Sequence, residues 1–369
     1  MPAKLLFLVM LLENVLIGGV FFLYPWIVRK GLLFGVYVGE EAFDSAAARA
    51  LTRRWYRGVL AALVVSLAVG SSLSLATENP LALVVPITIQ VLGFFGLYLW
   101  AYRRARRLAP AGPPPAAVAP LVTTPPPNPL LPALTIAVGV ACGTFAIAYA
   151  WSHYDALPAS VPTHFGISGE PDAWRPKSIP TVMLLPMMVL LLAVGLGGMA
   201  WLTANAKRGL RRFDKGASLA AQMRFRTAMT RFLCGTAVFT SAMLTTMSVS
   251  IIQVSLGRAS ALGRWEMGLT GLLMLWAIGG TVYLALRYGQ GGSRIERAGV
   301  TTPLTDGLAD NRNWVLGMFY VNRNDPSFLV ERRFGLGYTL NFGNWKAVAL
   351  FVAFIAAIGA LVIVAATTN

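Results

Sequence analysis

Eight runs of mostly apolar residues set the limits on what this chain can fold into. They lie at 4–24, 57–76, 81–101, 130–151, 179–203, 232–254, 265–286 and 346–366. An α-helix needs about 20 such residues to cross a bilayer. Of the 369 residues, 56% are hydrophobic and 12% charged, whereas a soluble domain carries roughly 25% charged residues. So few charges cannot clothe an aqueous surface, which excludes a soluble enzyme, and so apolar a chain excludes general disorder. The expected fold class is an all-α polytopic membrane protein of about eight transmembrane helices, with a small cytoplasmic β-hairpin unit before the last helix. The first run is not read as a cleaved signal peptide: Glu13 and Asn14 stand in its middle, and no small-residue cleavage site precedes Tyr24-Pro25.

The net charge is +16, and 25 of the 31 basic residues fall in alternate loops: 25–57, the arginines after the third run, 204–231 and 287–345. Bases confined to short loops are an orientation signal, and no nucleic-acid partner is expected. The positive-inside rule puts these loops in the cytoplasm and both termini outside, in a multi-pass membrane protein. The partner expected first is the lipid bilayer. Cys142 and Cys234 both sit in apolar runs, so neither a disulfide framework nor a zinc cluster is expected.

Composition divides the chain. Residues 1–109 form a three-span front, and the proline-dense stretch 110–132 reads as an extended linker. A two-span unit at 133–203 contains an outer loop, 152–178. An amphipathic segment and two further spans follow at 204–299, then a β-unit at 300–345 and the last span at 346–369. The basic positions of 204–231 suit an interfacial helix on anionic lipid. In the β-unit, residues 314–321 alternate as a strand, 322–327 form a turn and 328–330 begin a return strand. Asn322, Asp325 and Pro326 are expected to shape the turn, and Trp314, Phe319 and Tyr320 to offer a contact face, with Asn341 in the same unit. Clear internal repeats are absent.

The loop between spans four and five holds both histidines and three carboxylates. Its pattern L-P-x-x-V-P-T-H-F-x-x-x-G-E-P-D-x-W-x-x-K runs from Leu157 to Lys177. It resembles the uncharacterised domain shared with SdpI-type bacterial immunity and signalling membrane proteins, over about 130–203. Segment 34–56 is similar to a cytoplasmic segment of larger members. The tail, with WVLGMFYVN, NDP and GLGYTLNFGN, resembles a second uncharacterised domain often fused to the first. The resemblance implies a non-enzymatic protein that senses, or gives immunity to, an extracytoplasmic peptide or envelope ligand and signals to a cytoplasmic regulator. The ligand-binding candidates are Pro158, Pro162, His164, Gly169, Asp172, Trp174 and Lys177.

Other readings stay open. His164 with Asp172 and Glu170 has the chemistry of a metal or proton site, but too few ligands stand near it, so no metal and no cofactor is expected. The same residues suit a hydrogen-bonded loop, or a membrane enzyme. Glu13 and Asn14 are the intramembrane polar pair; a carboxylate at that depth should face other helices or a cavity, as in a small-solute or lipid transporter. No second acid or base is evident in the other spans. No G-x-S-x-G, Walker loop or transmembrane Asp pair is present, so no catalytic residue is assigned. Reporter fusions at Pro115 and Ser168 should report opposite sides of the membrane; a common side for both would overturn the orientation.

Overall fold

The computed structural model describes residues 3–77, 84–112, 129–166, 168–206, 215–295 and 309–367. Most of the proline linker (113–128), Lys207, Arg208, Arg211 and Arg212 of the amphipathic segment, and 300–308 of the β-unit lie outside these. Among the described residues, eight helices are long and apolar enough to cross a membrane. The protein is an all-α multi-pass membrane protein with small β-hairpins before its final helix.

The chain opens with α1 (Ala3–Ile27), a tight hairpin of β1 (Leu32–Leu33) and β2 (Val36–Tyr37), a short α2 (Glu40–Phe43) and α3 (Ala46–Ala76). Ser45 caps α3 by accepting a hydrogen bond from the Ala48 amide. The basic, Ala-rich residues 46–54 form the first turns of α3. They run straight into the span, and 31 residues make about 46 Å of helix, well beyond the roughly 30 Å hydrocarbon core. Then come α4 (Val84–Ala105), α5 (Leu130–His153), a hairpin of β3 (Ser160–Phe165) and β4 (Pro171–Pro176), and α6 (Ile179–Ala204). The next helix, α7 (Lys215–Ser255), absorbs the part of the amphipathic segment that is described. Its residues 215–231 are continuous with the span; Gln222, Phe225 and Arg226 are buried, and Phe225 packs on Tyr288 of α8 and on Tyr338 of the β-unit. α8 (Arg264–Tyr288) follows, and α9 (Trp345–Thr367) ends the described chain.

The strongest helix packing falls in two groups. α1, α3 and α4 form one; α5, α6 and α7 form the other, with α8 on α7 and α9 on α6. Apolar side chains give helices no reason to associate inside lipid, so close backbone approach and polar contacts must do it. Gly139 and Gly143 of α5 lie against Ala193 and Leu190 of α6, and Gly197 lies against Ile136. Gly195 receives Phe354 of α9, and Gly280 receives Phe232 of α7, whereas Gly198 and Gly279 meet nothing. In the first group, where Gly18 lies against Leu63 and Gly58 against Leu97, there is a polar contact as well. Asn14 of α1 accepts from Ser66 of α3 at 2.5 Å, and its carbonyl accepts from Gln90 of α4 at 3.0 Å.

The expected strand 314–321 folds differently. It breaks at Leu316-Gly317 into its own hairpin, β5 (Trp314–Val315) paired with β6 (Phe319–Tyr320). The turn at 322–327 then leads to β7 (Leu329–Glu331), which pairs with β8 (Tyr338–Leu340). A single parallel bridge, Tyr320 to Asn341, joins the two hairpins.

Hairpin β5–β6 docks tip to tip on β1–β2. Both turns place a bulky residue at positive φ before a glycine: Phe34 (47°) with Gly35 (79°), and Leu316 (53°) with Gly317 (68°). In the two-residue turn of β1–β2, positive φ at both central residues suits the right-handed strand twist; the β5–β6 turn has three residues, Leu316, Gly317 and Met318, and Phe and Leu rarely adopt positive φ. A Cβ on Gly35 would lie 2.7 Å from the Gly317 carbonyl oxygen, so the two turns meet backbone to backbone. Tyr98 locks the contact by donating to the Leu316 carbonyl at 2.7 Å. The sequences around the two turns, LLFGVYV and WVLGMFYV, are alike, a local repeat that reading for longer periods passes over.

One ion pair then ties the two helix groups. Arg29, just past α1, meets Glu331 of β7 at 3.1 Å, with side chains 2% and 9% exposed. Its second nitrogen also donates to the Gly291 carbonyl, and its amide donates to Gln290 Oε1. Gln290 in turn donates to the Arg332 carbonyl. Replacing Arg29 by Met should destabilise the folded protein by about 3–5 kcal/mol, because a buried carboxylate loses its guanidinium. The double change Arg29→Met with Glu331→Met should recover most of that loss. Denaturant unfolding in detergent micelles measures both, and an unchanged midpoint for Arg29→Met would remove the pair from this account.

Candidate functional site

The two ends of the bundle differ. At one end converge the hairpins 32–37 and 314–340, the ends of α4 and α8 and the start of α7. This is the arginine-rich set of loops. At the other end stand β3–β4 and the loop joining α7 to α8. The spatial grouping of loops matches the alternation read from the basic residues.

Hairpin β3–β4 is firmly held at its base. Lys177 donates to the carbonyls of Tyr154, Asp155 and Leu157 at 3.1, 3.4 and 3.0 Å, closing the end of α5. A cation among the last carbonyls of a helix also meets the negative end of its dipole. Arg175 does the same for α9, reaching the carbonyls of Ala365 and Ala366 at 3.2 Å. Leu157 and Val161 are buried against Val182, Met183 and Ile252. Pro162 is buried beside them, and Pro158 is exposed.

The tip is held by Gly169, whose φ of 82° needs a residue without Cβ. Its carbonyl accepts from the Leu262 amide at 2.8 Å, joining the tip to the α7–α8 loop. Between base and tip, the outward side is polar. His164 Nδ1 lies 2.5 Å from Asp172 Oδ1, both side chains more than half exposed. A carboxylate only accepts, so Nδ1 carries the proton and Nε2 is left toward solvent or ligand. Trp174 is exposed on the paired strand. The sequence candidates thus divide: Lys177 and Gly169 build the frame with Pro162, and His164, Asp172 and Trp174 form the accessible face. Among the described residues no three His, Cys, Asp or Glu side chains come together as metal ligands.

At the other end, the aromatic contact face splits. Trp314 and Tyr320 pair across β5–β6 and point inward, at 3% and 0% exposure, whereas Phe319 points outward at 44%. Tyr320 donates to Asp325 at 2.9 Å, and Asp325 accepts from the Ser327 amide at 3.0 Å. Asn341 is fully buried and satisfies four groups: it accepts from the amides of Asn322 and Gly343 and donates to the carbonyls of Asn322 and Asp325. Asn322, Asp325 and Asn341 therefore set the turn. Pro326 is exposed, and its carbonyl accepts from Asn344, which also caps α9.

Sequence reasoning passed over Arg29, Gln290, Asn311 and Arg333. Asn311 binds both the amide and the carbonyl of Tyr37 at 2.9 Å, as a neighbouring strand would. Arg333 donates to Asn311 at 2.6 Å and lies 4.9 Å from the Trp314 ring centre. Asp310 is held below the usual carboxylate range by hydrogen bonds from Arg312, and burial raises the Tyr37 hydroxyl. The glycine run 289–292 was the available signal for Gln290; the two arginines were indistinguishable from topogenic charge. A second intramembrane acid was also missed. Glu266, in the first turn of α8, is buried and accepts from Ser250. Glu13 is half-buried, and one of its oxygens is enclosed without a hydrogen-bond partner among the described residues.

Gly169→Val should lower stability by about 1–3 kcal/mol, since a β-branched residue at that φ is strained and its Cβ would lie 3.0 Å from the Leu262 carbonyl oxygen. Protease cleavage within 256–263 should become faster in that variant. Unchanged melting and unchanged cleavage would overturn the tip assignment.

Comparison with known families returns two partial matches. A domain of unknown function, DUF1648, matches residues 140–190, from the middle of α5 through the hairpin to the middle of α6. A family of unknown function, DUF5808, matches residues 323–348, from the turn after β6 to the start of α9. No curated protein and no solved structure matches the chain. The protein is thus a multi-pass membrane protein bearing two uncharacterised domains, one at each polar end.

Proposed function

We propose that this is a non-enzymatic protein of the bacterial inner membrane whose β3–β4 hairpin recognises an extracytoplasmic peptide or envelope ligand. The observation that carries the reading is how the hairpin is mounted. Its exposed face, with His164, Asp172 and Trp174, offers an acceptor or donor, a carboxylate and an aromatic surface. Its anchors reach α5 through Lys177, α9 through Arg175 and the α7–α8 loop through Gly169. A ligand bound there acts on several spans at once. The orientation follows from the basic loops, which favour the cytoplasm. On that side the β-unit would contact a regulator through its exposed polar surface, since Trp314 and Tyr320 are interior. The resemblance to SdpI-type proteins supports a peptide as the ligand class.

The test is to pan a displayed random-peptide library on the protein in lipid nanodiscs, with empty discs as background. Peptides should be enriched, and Trp174→Ala should weaken their binding by about tenfold or more, as for an aromatic hot spot. His164→Ala should weaken it in the same direction. No enrichment over empty discs, or binding indifferent to both substitutions in folded protein, would remove the recognition role.

A further inference from the structure

The β-unit carries an apolar face that its own fold leaves uncovered. Val315 and Phe319 are cross-strand partners on the outward side of β5–β6, and both are exposed, as are Val321 and Phe342. Phe342 lies edge-on to Phe319, with ring centres 5.5 Å apart. Three residues later α9 begins with Trp345, which is 73% exposed. The face thus lies next in the chain to α9, the most apolar of the spans and one that is almost wholly uncovered by the rest of the protein. That helix surface faces lipid. Lys346 and Arg323 are exposed beside the patch, and the tip of the same hairpin is fixed beside Tyr98, within span α4.

We propose that the outward face of β5–β6, with Phe342 and Trp345, is seated in the headgroup and acyl boundary of an anionic bilayer. Each part has the chemistry for it. Aromatic rings are favoured at the membrane interface, with a basic residue beside them to meet anionic headgroups. A covering protein would have to bridge from the unit onto α9 at a level where the surface already meets lipid. The consequence is directional: a cytoplasmic partner is left the opposite side of the unit.

Nitroxide labels on the full-length protein in vesicles with and without phosphatidylglycerol test this. The background carries Cys142→Ser and Cys234→Ala, and single labels go to Phe319→Cys, Val315→Cys, Val352→Cys in α9 and Arg312→Cys. Power saturation then compares access of oxygen with access of a water-soluble nickel chelate. At 319 and 315 the oxygen-to-chelate ratio should approach that at 352 and exceed that at 312 severalfold. It should rise further with phosphatidylglycerol. A ratio at both positions equal to that at 312 would overturn the proposal in favour of a water-facing patch. Exclusion of both relaxants at both positions would overturn it in favour of a protein cover. Because 315 and 319 are read separately, a label that perturbs one site leaves the other to decide.

Discussion

A guanidinium and a carboxylate, taken together out of water, hold the arginine-rich end of this protein in one arrangement. Removing each ion from water costs several kcal/mol, and the attraction between them offsets this only when the remaining hydrogen-bonding groups are served as well. Around Arg29 most of them are, although its Nε is buried with no hydrogen-bond partner among the described residues. Glu331 and the Gly291 carbonyl take its second nitrogen, and Gln290 takes its amide while also binding the Arg332 carbonyl. The end of α1, the end of α8 and strand β7 can satisfy one another only in this register. A Cβ on Gly291 would overlap Glu331 at 1.9 Å, so the chain path there is as constrained as the charges. The pair supplies uniqueness of docking more than net stability.

The two polar ends have been built on opposite terms. At the arginine-rich end the polar side chains are spent inward: Asn341, Asp325, Asn311 and Arg333 bind backbone or one another. On one outward face they leave apolar rings, Phe319 and Phe342. At the hairpin end the long cations anchor the base of the strands, and the short polar groups, His164 and Asp172, are left outward. The interior of the first helix group is a third polar region. There Asn14, Ser66 and Gln90, one residue from each of three helices, are hydrogen-bonded together, while Gln90 Oε1 is buried with no hydrogen-bond partner among the described residues.

The helices were legible because lipid enforces a simple rule of length and hydrophobicity, and the alternation of basic loops carried their grouping. Helix ends were less legible. The described part of 204–231 is the start of α7, where Phe225 packs on Tyr288 and Tyr338, 63 and 113 positions away, partners that no local period names. The β-unit was located correctly and threaded wrongly, since alternation through Leu316-Gly317 hides a turn that only positive φ reveals. Individual roles at the hairpin were read from a motif as a group. The motif could not separate Lys177, which closes a helix, from His164, which faces out. Arg29 and Arg333 were invisible as architecture because a topogenic arginine and a buried one look the same in one dimension.

The back-to-back turns at Gly35 and Gly317 also impose an order on biogenesis. Their partners stand 282 positions apart, and Arg29 waits 302 positions for Glu331. At about 5–20 residues per second of synthesis, that interval is about 15–60 s. During it the first three spans are already in the membrane, while Phe34, Arg29 and the Tyr98 hydroxyl have no completed site. The final closure is therefore a late event that depends on the last fifth of the chain. Within that interval the nascent front half carries an aromatic hairpin and a cation that have not met their partners. A truncation before residue 311 would lose α9 together with the latch, leaving seven spans and a front hairpin without its partner.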